Sequence, residues 1–174
     1  MSSLNSQSLL ATTITGSSFL SGFLFALSYI SIPAILKTPG IPEVTLVTLW
    51  RYVYFRGFHI SPFLAVFSGI CSITSSYTTV NKNTANRLIL AGLFMIGVVP
   101  YTLITVSPTN RILMAREKLL IERSYAETNE SATATSLEGG TMEDSRRLVN
   151  EWARLNYIRA ALPAVGAVLA WTCW

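Results

Sequence analysis

The sequence predicts an all-α membrane protein, a bundle of four transmembrane helices that forms a single domain over residues 1–174. Three observations lead to this fold class. Hydrophobic residues make up 51% of the chain and charged residues only 13%, about half of the charged fraction typical of a soluble domain. Four apolar stretches approach the roughly 20 residues that a helix needs to cross a bilayer. The chain also lacks the alternating apolar and polar pattern of a membrane strand.

The four predicted spans cover residues 14–36, 57–80, 88–106 and 155–174. The first three contain no lysine, arginine or acidic residue, whereas the fourth includes Arg159. A cleaved signal peptide would start with basic residues. Residues 1–36 contain none, so we expect the first span to be retained.

Small residues and prolines shape the predicted spans. Ser18, Gly22 and Ala26 are spaced four apart in the first span, which predicts that a neighbouring helix approaches closely there. Each span holds one proline, and these are Pro33, Pro62, Pro100 and Pro163. The prolines either mark helix ends or kink the helices enough to open a cavity.

The segments between the spans carry their own patterns. Residues 43–56, EVTLVTLWRYVYFR, predict an interfacial helix before the second span, because tryptophan and tyrosine are typical of membrane interfaces. The third span is expected to end at SPTN, residues 107–110. Residues 111–145 then form a cytoplasmic insert, which starts with a surface helix and ends in a flexible loop from residue 126 onwards.

The distribution of basic residues predicts the orientation. Three lie in the first loop and eight lie between the third span and Arg159 inclusive, whereas the second loop has two and the two ends of the chain have none. Loops rich in lysine and arginine face the cytoplasm. Loops 1 and 3 are therefore expected to be cytoplasmic and both termini lumenal, in the endoplasmic reticulum or a related endomembrane.

Two local features of the insert follow from this topology. The glycosylation sequon at Asn129 would be unused, because it would face the cytoplasm. Asp144 or Ser145 is expected to cap the last helix, because short polar side chains accept hydrogen bonds from the free N–H groups of a first turn.

Missing residue types narrow the chemistry. No predicted span contains the aspartate or glutamate that proton-coupled transporters usually need. One histidine cannot supply a usual non-haem iron or copper site, and a haem held by His59 alone has no support in the sequence. No phosphate loop, dinucleotide-binding glycine motif or nucleophile elbow is present. Cys71 and Cys173 lie in different spans, which favours buried thiols over a disulfide. An enzyme of this kind would perform chemistry that the substrate can largely do itself.

The only histidine, His59, lies where the unusual polar residues are expected to meet. In the predicted topology the second span begins near His59, the third ends near Asn110 and the fourth begins with Trp152, Asn156 and Arg159. These residues then share one membrane depth. The last three also share a helical face, and an intramembrane charge usually faces an internal site. The alternatives are an arginine that snorkels to the headgroups and a histidine bound to a carbonyl or a lipid phosphate.

Four motifs, in this order, resemble the fungal anthrone oxygenase family, small membrane proteins of anthraquinone and related polyketide pathways. They are GFLFALSYISIPAIL in the first span, LWRYVYFRGFHISPFLAVFS around the second, VVPYTLITVSPTNRIL at the end of the third and LVNEWARLNYIRAALPAVGA in the fourth. The P-T-N of the third motif and the W-x-x-x-N-x-x-R of the fourth are the most specific. Together the motifs cover most of the chain except its two ends and the insert.

The resemblance implies a monooxygenase that converts an anthrone CH2 into a quinone carbonyl, with O2 as co-substrate and with no cofactor or metal. The aromatic or polyketide substrate would enter from the lipid bilayer. Under this hypothesis His59 is the general base, because histidine exchanges protons readily near neutral pH. Arg159 pairs with the developing oxyanion, and Asn110 and Asn156 hydrogen-bond the substrate oxygens.

The same hypothesis assigns substrate binding to four further residues. Trp50 and Trp152 would stack on the flat rings, and Arg51 or Arg56 would assist Arg159. Two other functions stay open. One is a membrane subunit of another tailoring reaction, such as the oxidative cyclisation of a polyketide–amino acid hybrid, and the other is a non-catalytic scaffold that recruits pathway enzymes. A homo- or hetero-oligomer with another membrane protein of the pathway also stays open, and no nucleic-acid partner is expected.

Overall fold

A computed structural model describes residues 3–128 and 141–174, and within these ranges the chain forms four long helices and no strand. Helix α1 comprises Ser3–Ala26, a π-helical turn over Leu27–Ser31, and Ile32–Leu36. Helix α2 is Glu43–Ser76. Helix α3 comprises Lys82–Ile96, Val98–Tyr101, a second π-helical turn over Thr102–Val106, and Ser107–Thr128. Helix α4 is Met142–Trp171. The all-α prediction is confirmed.

The four helices pack as a ring. Helix α1 lies against α2 and α4, and α3 lies against the same two helices from the other side. The diagonal pair α2 and α4 touches over a shorter stretch. Side chains that point inwards from α2 and α4 therefore approach each other across the centre of the bundle.

Three helices are long and apolar enough to cross a membrane: Ser6–Leu36, Glu43–Ser76 and Lys82–Tyr125. The predicted spans 14–36, 57–80 and 88–106 all fall largely within them. The fourth predicted span, 155–174, lies mainly in α4, which is not among these candidates. Arg154 and Arg159 lower the mean hydropathy of the apolar half of α4. Composition alone therefore identifies α1, α2 and α3 as candidate spans, but not α4.

Helix α2 is one continuous element rather than an interfacial helix followed by a span. Its 34 residues rise by about 1.5 Å each, so it is about 51 Å long and exceeds a hydrocarbon core of about 30 Å. Trp50 is fully buried in the bundle core, so the structure places it among protein side chains and not at a lipid interface. The helix ends at Ser76, before the predicted limit of 80.

Helix α3 continues through the SPTN segment, so the prediction of a helix end at 107–110 was wrong. Pro108 lacks the N–H that would bond the preceding turn, and its ring would crowd the carbonyl four residues earlier. The π-helical turn Thr102–Val106 ends two residues before this proline. Because its hydrogen bond spans five residues, from the Ser107 N–H to the Thr102 carbonyl, the wider turn makes room for the ring and the helix goes on.

The same device occurs in α1. The π-helical turn Leu27–Ser31 is closed by a hydrogen bond from the Ile32 N–H to the Leu27 carbonyl, and it ends two residues before Pro33. The helix then continues for one turn and stops at the Pro39-Gly40 loop, where Gly40 has a φ of 64°. Glycine adopts this left-handed backbone conformation at little cost in free energy, because it has no Cβ.

Close helix contacts occur at glycines, but not at those predicted in α1. A Cβ on Gly92 of α3 would lie 2.9 Å from the Gly69 carbonyl oxygen of α2, and a Cβ on Gly69 would lie 3.1 Å from the Gly92 carbonyl oxygen. These two helices therefore cross at the two glycines. Ser18 and Gly22 are exposed instead, and nothing lies within 4 Å of a Cβ built on Gly22. The predicted close approach at that stripe was wrong.

The start of α4 is fixed by a capping box. The Thr141 hydroxyl accepts a hydrogen bond from the Asp144 N–H at 3.4 Å, and the Asp144 carboxylate accepts one from the Thr141 N–H at 2.8 Å. Thr141 is therefore the cap, and the expectation of Asp144 or Ser145 in that position was wrong. The predicted flexible loop over 126–145 was wrong at both ends, because residues 126–128 belong to α3 and residues 142–145 to α4. Residues 129–140, with the sequon at Asn129, lie outside the described residues.

The polar ends of the helices beyond the apolar segments are joined by ion pairs. The Glu43 carboxylate at the start of α2 forms an ion pair with Arg116 of α3 at 2.8 Å. It also accepts a hydrogen bond from the Ser145 hydroxyl of α4 at 2.6 Å. Arg51 of α2 pairs with the buried Glu117 of α3 at 2.7 Å. These contacts hold α2, α3 and α4 together at this end of the bundle.

We expect Gly92→Ala to destabilise the protein, because the new methyl group would collide with the Ile73 side chain at 2.6 Å and also with the Gly69 carbonyl oxygen at 2.9 Å, a backbone atom that cannot rotate away. Overpacking of this kind costs about 1–3 kcal/mol. Gly22→Ala is the matched control, since its methyl group meets open space. Thermal unfolding in detergent would measure both. A Gly92→Ala midpoint equal to that of Gly22→Ala would contradict the crossing at these glycines.

The capping box predicts a pH dependence at the start of α4. The Thr141 backbone N–H, followed by its hydroxyl, holds the pKa of the Asp144 carboxyl below its usual value. The folded state thus favours the carboxylate, so the cap is at full strength above the unfolded pKa of about 3.9 and weakens as the pH falls through the lowered folded pKa.

Hydrogen exchange of the first-turn amides of α4 would test this dependence. After correction for the intrinsic exchange rate at each pH, the protection of these amides should drop on acidification in the wild type. In Asp144→Asn their protection should be low at every pH. Identical profiles for the two proteins would refute the cap.

Candidate functional site

The centre of the bundle contains a buried guanidinium. Arg159 of α4 is 4% exposed. Its Nη1 donates to Oδ1 of Asn156 at 3.4 Å, and its Nη2 donates to Oγ of Ser61 on α2. Its Nε has no hydrogen-bond partner, and no carboxylate of the described residues forms an ion pair with it. A buried charge without a counter-ion is costly, so this position is suited to an anion.

Asn156 holds the guanidinium in place. It is fully buried, and its Nδ2 donates to the Leu24 carbonyl and to Oγ of Ser28, both at 3.0 Å on α1. Ser28 belongs to the π-helical turn of α1. The amide of Asn156 is thus engaged with protein groups at both ends, which makes it a positioning residue for Arg159 rather than a free donor to a substrate.

Two tyrosines, Tyr54 of α2 and Tyr101 of α3, pack against the buried core that contains Trp50 and Trp152. The Tyr101 hydroxyl donates to the Leu155 carbonyl of α4 at 3.1 Å. Tyr101 immediately precedes the π-helical turn of α3, so each of the two π-helical turns within residues 3–128 and 141–174 contains or adjoins a residue that contacts α4 near Arg159.

Trp50 and Trp152 meet on one side of the two tyrosines. Their rings form an edge-to-face pair with centroids 6.0 Å apart and an interplanar angle of 89°. Both indoles are buried, and neither Nε1 has an acceptor among the described residues. Asn110 of α3 is also buried, and no donor among the described residues hydrogen-bonds its Oδ1. Buried polar atoms are usually satisfied, so these are open positions for a hydrogen-bonding ligand.

His59 is not brought to this cluster. It is exposed, its Nδ1 lies 2.9 Å from the Phe55 carbonyl oxygen, and its ring stacks on Phe55 with centroids 5.8 Å apart. Ser61, which contacts Arg159, is only two residues further along α2. Two helical residues differ by about 200° around the axis, so His59 shares the depth of the site and points to the other side of the helix.

The two other candidate arginines also lie outside the cluster. Arg51 pairs with Glu117 and sits over the Phe55 ring, with the guanidinium carbon 5.3 Å from the centroid. It lines a cavity of about 360 Å³ between α2 and α3, together with Thr48, Tyr52, Phe55 and Glu117. Arg56 is exposed. The predicted site residues thus divide into two groups. The inner cluster consists of the buried residues Trp50, Asn110, Trp152, Asn156 and Arg159, and the outer group consists of the exposed residues Arg51, Arg56 and His59 on α2.

The described residues contain no group of three or more histidine, cysteine, aspartate or glutamate side chains that could hold a metal ion. Both cysteines are free: Cys71 is buried and Cys173 is partly buried. The prediction of a buried thiol thus fits Cys71, whereas Cys173 is only partly buried.

Sequence reasoning missed Ser61, Ser28, Tyr54 and Tyr101. A usable signal for α2 is the spacing of its inward-facing residues. Trp50, Gly57, Ser61 and Ala65 are buried and Tyr54 is partly buried, and the five follow one another at steps of three or four. This series defines the inner face of the helix, and His59 does not belong to it. Serines inside an apolar helix are also typical of helix contacts in membranes.

The inner cluster falls within the region that has a family model. The model described as "Anthrone oxygenase" matches residues 50–169, which is more than half of the chain. The chain belongs to the anthrone oxygenase family. The matched region contains Trp50, Tyr54, Ser61 and Arg159, whereas Ser28 on α1 precedes it.

Curated relatives of the anthrone oxygenase family extend over nearly the whole chain. The anthrone oxygenase encC of Aspergillus fumigatus is 31% identical over 163 residues, which cover 90% of this chain and 86% of the relative. An anthrone oxygenase of Paecilomyces divaricatus is 27% identical and covers 95% and 94%. A noranthrone monooxygenase of Aspergillus flavus is 27% identical and covers 90% and 68%. No solved structure matches the chain.

The unpaired charge predicts an unusual stability effect. Arg159→Met should leave the free energy of unfolding unchanged or raise it by about 1–4 kcal/mol, because apolar replacements of buried charges relieve desolvation. Asn156→Leu should lower it by about 1–3 kcal/mol, because it leaves buried polar partners on α1 and on Arg159 unsatisfied. Unfolding in detergent, followed by tryptophan fluorescence, would compare them. A larger loss in Arg159→Met than in Asn156→Leu would show that the guanidinium is a structural support.

Proposed function

We propose that this protein is a cofactor-independent membrane monooxygenase of a polyketide pathway, which oxidises the CH2 of an anthrone-type substrate to a quinone carbonyl with O2. The observation that carries the proposal is the buried guanidinium of Arg159, which has no carboxylate counter-ion among the described residues. Membership of the anthrone oxygenase family and the names of the curated relatives support the substrate class.

The first step would be the loss of a proton from the substrate CH2. The negative charge that develops spreads through the ring system onto the carbonyl oxygen, which becomes an aromatic phenolate. Arg159 stabilises this oxyanion, and the interaction is strong because the site is buried and excludes water. Asn156 and Ser61 hold the guanidinium in a fixed position, so little reorganisation is needed as the charge forms.

The second step would be the reaction of the electron-rich anion with O2. A C–O bond forms at the former CH2 carbon, and protonation of the peroxide gives a hydroperoxide. Loss of water, with cleavage of the O–O bond and of the remaining C–H bond, leaves the carbonyl. The substrate supplies all the electrons, one oxygen atom enters the product and the other leaves as water. The indole N–H groups of Trp50 and Trp152 are available to substrate oxygens.

We also propose that α4 crosses the membrane with the other three helices, with loops 1 and 3 in the cytoplasm. The support is its packing along α1 and α3. The Ser21 hydroxyl of α1 donates to the Ala160 carbonyl at 2.9 Å, and a Cβ on Gly166 would lie 3.0 Å from the Ala91 carbonyl oxygen of α3. The apolar half of α4 is thus enclosed by two helices that are apolar enough to span.

Oxidation of emodin anthrone by purified protein in detergent, with chelator present, would test the proposed function. The wild type should produce quinone well above the protein-free rate, and Arg159→Met should lose about 100- to 1,000-fold of that excess, as expected for removal of an oxyanion donor. A folded Arg159→Met variant with the wild-type rate would refute the role of Arg159. A folded wild type with no rate above background would refute the oxygenase and favour a cyclisation subunit or a scaffold.

A further inference from the structure

The outer face of α2 borders a cavity that the proposed reaction at Arg159 does not use. It has a volume of about 360 Å³, and cavities of roughly 300–1,000 Å³ are typical of sites that enclose a small organic ligand. The cavity is lined by Thr48, Arg51, Tyr52, Phe55 and Glu117. Two aromatic rings, a guanidinium, a carboxylate and a hydroxyl therefore surround the same space.

The aromatic wall of this cavity is held in place by neighbouring side chains. The Arg51 guanidinium carbon lies 5.3 Å from the centroid of the Phe55 ring. The His59 ring stacks on the same ring with centroids 5.8 Å apart and an interplanar angle of 20°. Phe55 nevertheless remains 40% exposed. Part of a fixed aromatic ring is thus free to contact a flat ligand in the cavity.

The two charges in the cavity compensate each other. Nη1 of Arg51 donates to Oε2 of Glu117 at 2.7 Å, and the side chain of Glu117 is 3% exposed whereas that of Arg51 is 46% exposed. The remaining N–H groups of the guanidinium can donate to a ligand. A lipid phosphate or another anion would meet the carboxylate beside the arginine, and like charges repel. The cavity therefore suits a neutral ligand that has oxygen acceptors.

The cavity lies at the surface of the bundle, unlike the inner cluster. Tyr52 and Phe55 are exposed, whereas Trp50 and Trp152 are at most 1% exposed. A ligand can reach the cavity without any movement of the helices, but it reaches the inner cluster only after the packing around the two indoles has opened. The cavity is thus the part of this region that an incoming compound meets first.

We propose that this cavity binds the neutral form of a flat polycyclic aromatic compound that carries carbonyl or hydroxyl oxygens. The identification of this compound as the anthrone substrate, before it loses its proton, rests on the proposed oxygenase function. The ring system packs against Phe55 and Tyr52, and Arg51 donates a hydrogen bond to an oxygen of the ligand. Glu117 selects against anionic compounds of the same shape. The oxyanion forms only after the substrate has moved inwards to Arg159.

The experiment compares two aromatic probes of similar shape and different charge. Dihydroxyanthraquinone, at a pH where its phenols are protonated, is the neutral probe, and anthraquinone sulfonate is the anionic probe. Equilibrium dialysis of the full chain in detergent gives both dissociation constants.

Two phenylalanine variants form a matched pair for this measurement. Phe55→Ala removes one ring from the cavity wall, and Phe58→Ala is its control. Both phenylalanines are exposed and contact Tyr54 and His59, but Phe58 does not line the cavity. An indirect effect through these two shared neighbours would therefore appear in both variants.

The wild type should bind the neutral probe more tightly than the anionic probe. Phe55→Ala should weaken binding of the neutral probe by about 10-fold, as expected for the loss of an aromatic contact, and Phe58→Ala should leave it unchanged. Equal affinities of Phe55→Ala and the wild type would overturn the site. Displacement of the neutral probe by phosphatidylserine would assign the cavity to a lipid headgroup and would overturn the proposed ligand.

Glu117→Gln tests the selection by charge. The substitution keeps the shape of the side chain and leaves the charge of Arg51 uncompensated. The anionic probe should then bind at least about 5-fold more tightly than it binds the wild type, with little change for the neutral probe. A wild type that prefers the anionic probe, or a Glu117→Gln variant with unchanged affinity for it, would overturn the assignment of a neutral ligand.

A second pair of variants covers a Phe55→Ala protein that does not fold. Thr48→Trp places a large side chain in the cavity, whereas Thr45, one turn earlier on α2, is exposed and does not line it. Thr48→Trp should weaken binding of the neutral probe and Thr45→Trp should not. Equal binding by these two variants would overturn the proposal.

Steady-state kinetics with emodin anthrone and O2 separate this site from the proposed function. Phe55→Ala should raise KM and leave kcat unchanged, because it removes binding that the ground state and the transition state share. An unchanged KM together with an unchanged affinity for the neutral probe would remove the site and leave the oxygenase standing. A folded wild type that binds the neutral probe through Phe55 but forms no quinone above background would support the site and remove the proposed function.

Discussion

The burial of one guanidinium is the constraint on which the rest of this structure depends. Arg159 sits in an apolar bundle, where a charge needs polar partners, and these partners come from different parts of the chain. Ser61 reaches it from α2, while Asn156 anchors it to the α1 groups Ser28 and Leu24. These contacts fix the rotation of three helices about their own axes. They satisfy part of the guanidinium and leave it without a carboxylate partner among the described residues.

The prolines connect this site to the shape of the helices. Pro33 and Pro108 would interrupt ordinary α-helices, yet each is preceded by a π-helical turn that lets the helix continue. One turn contains Ser28, which hydrogen-bonds Asn156, and the other follows Tyr101, so both irregular segments lie next to residues that contact α4. The helices are therefore long and nearly unbroken, and the local widening occurs where polar side chains are needed. π-Helical turns are often found at functional sites, and here the sequence reason for them is visible.

The helix α2 has two chemically distinct faces, and for this reason the predicted site residues on α2 do not all lie at one site. The inner face carries Trp50, Tyr54 and Ser61 towards α4, and the outer face carries Arg51, Phe55 and His59 as a stacked series. Arg51 is already neutralised by Glu117, whereas Arg159 has no carboxylate partner in the described part of the chain. The oxyanion role therefore suits the inner arginine. The role of His59 stays a prediction, and its geometry connects it with the outer series.

The sequence by itself determined the helical class, three apolar segments of spanning length and the family. It determined them because hydropathy and motif order are properties of the chain alone. It also identified Arg159 and Asn156 as neighbours, since a spacing of three places two side chains on one helical face. Sequence reasoning misplaced the end of α3, because a π-helical turn that absorbs a proline depends on the packing around it. It also divided α2 into an interfacial helix and a span, whereas the structure has one helix over Glu43–Ser76.

Only the tertiary structure decided which residues meet between helices. Ser61, Ser28 and Tyr54 became site residues, and His59 did not, because the rotation of each helix is set by packing against its neighbours and not by its own composition. The same reason accounts for the exposed Gly22 and the close crossing at Gly69 and Gly92: all three are glycines in apolar helices, and only the partner surface distinguishes them.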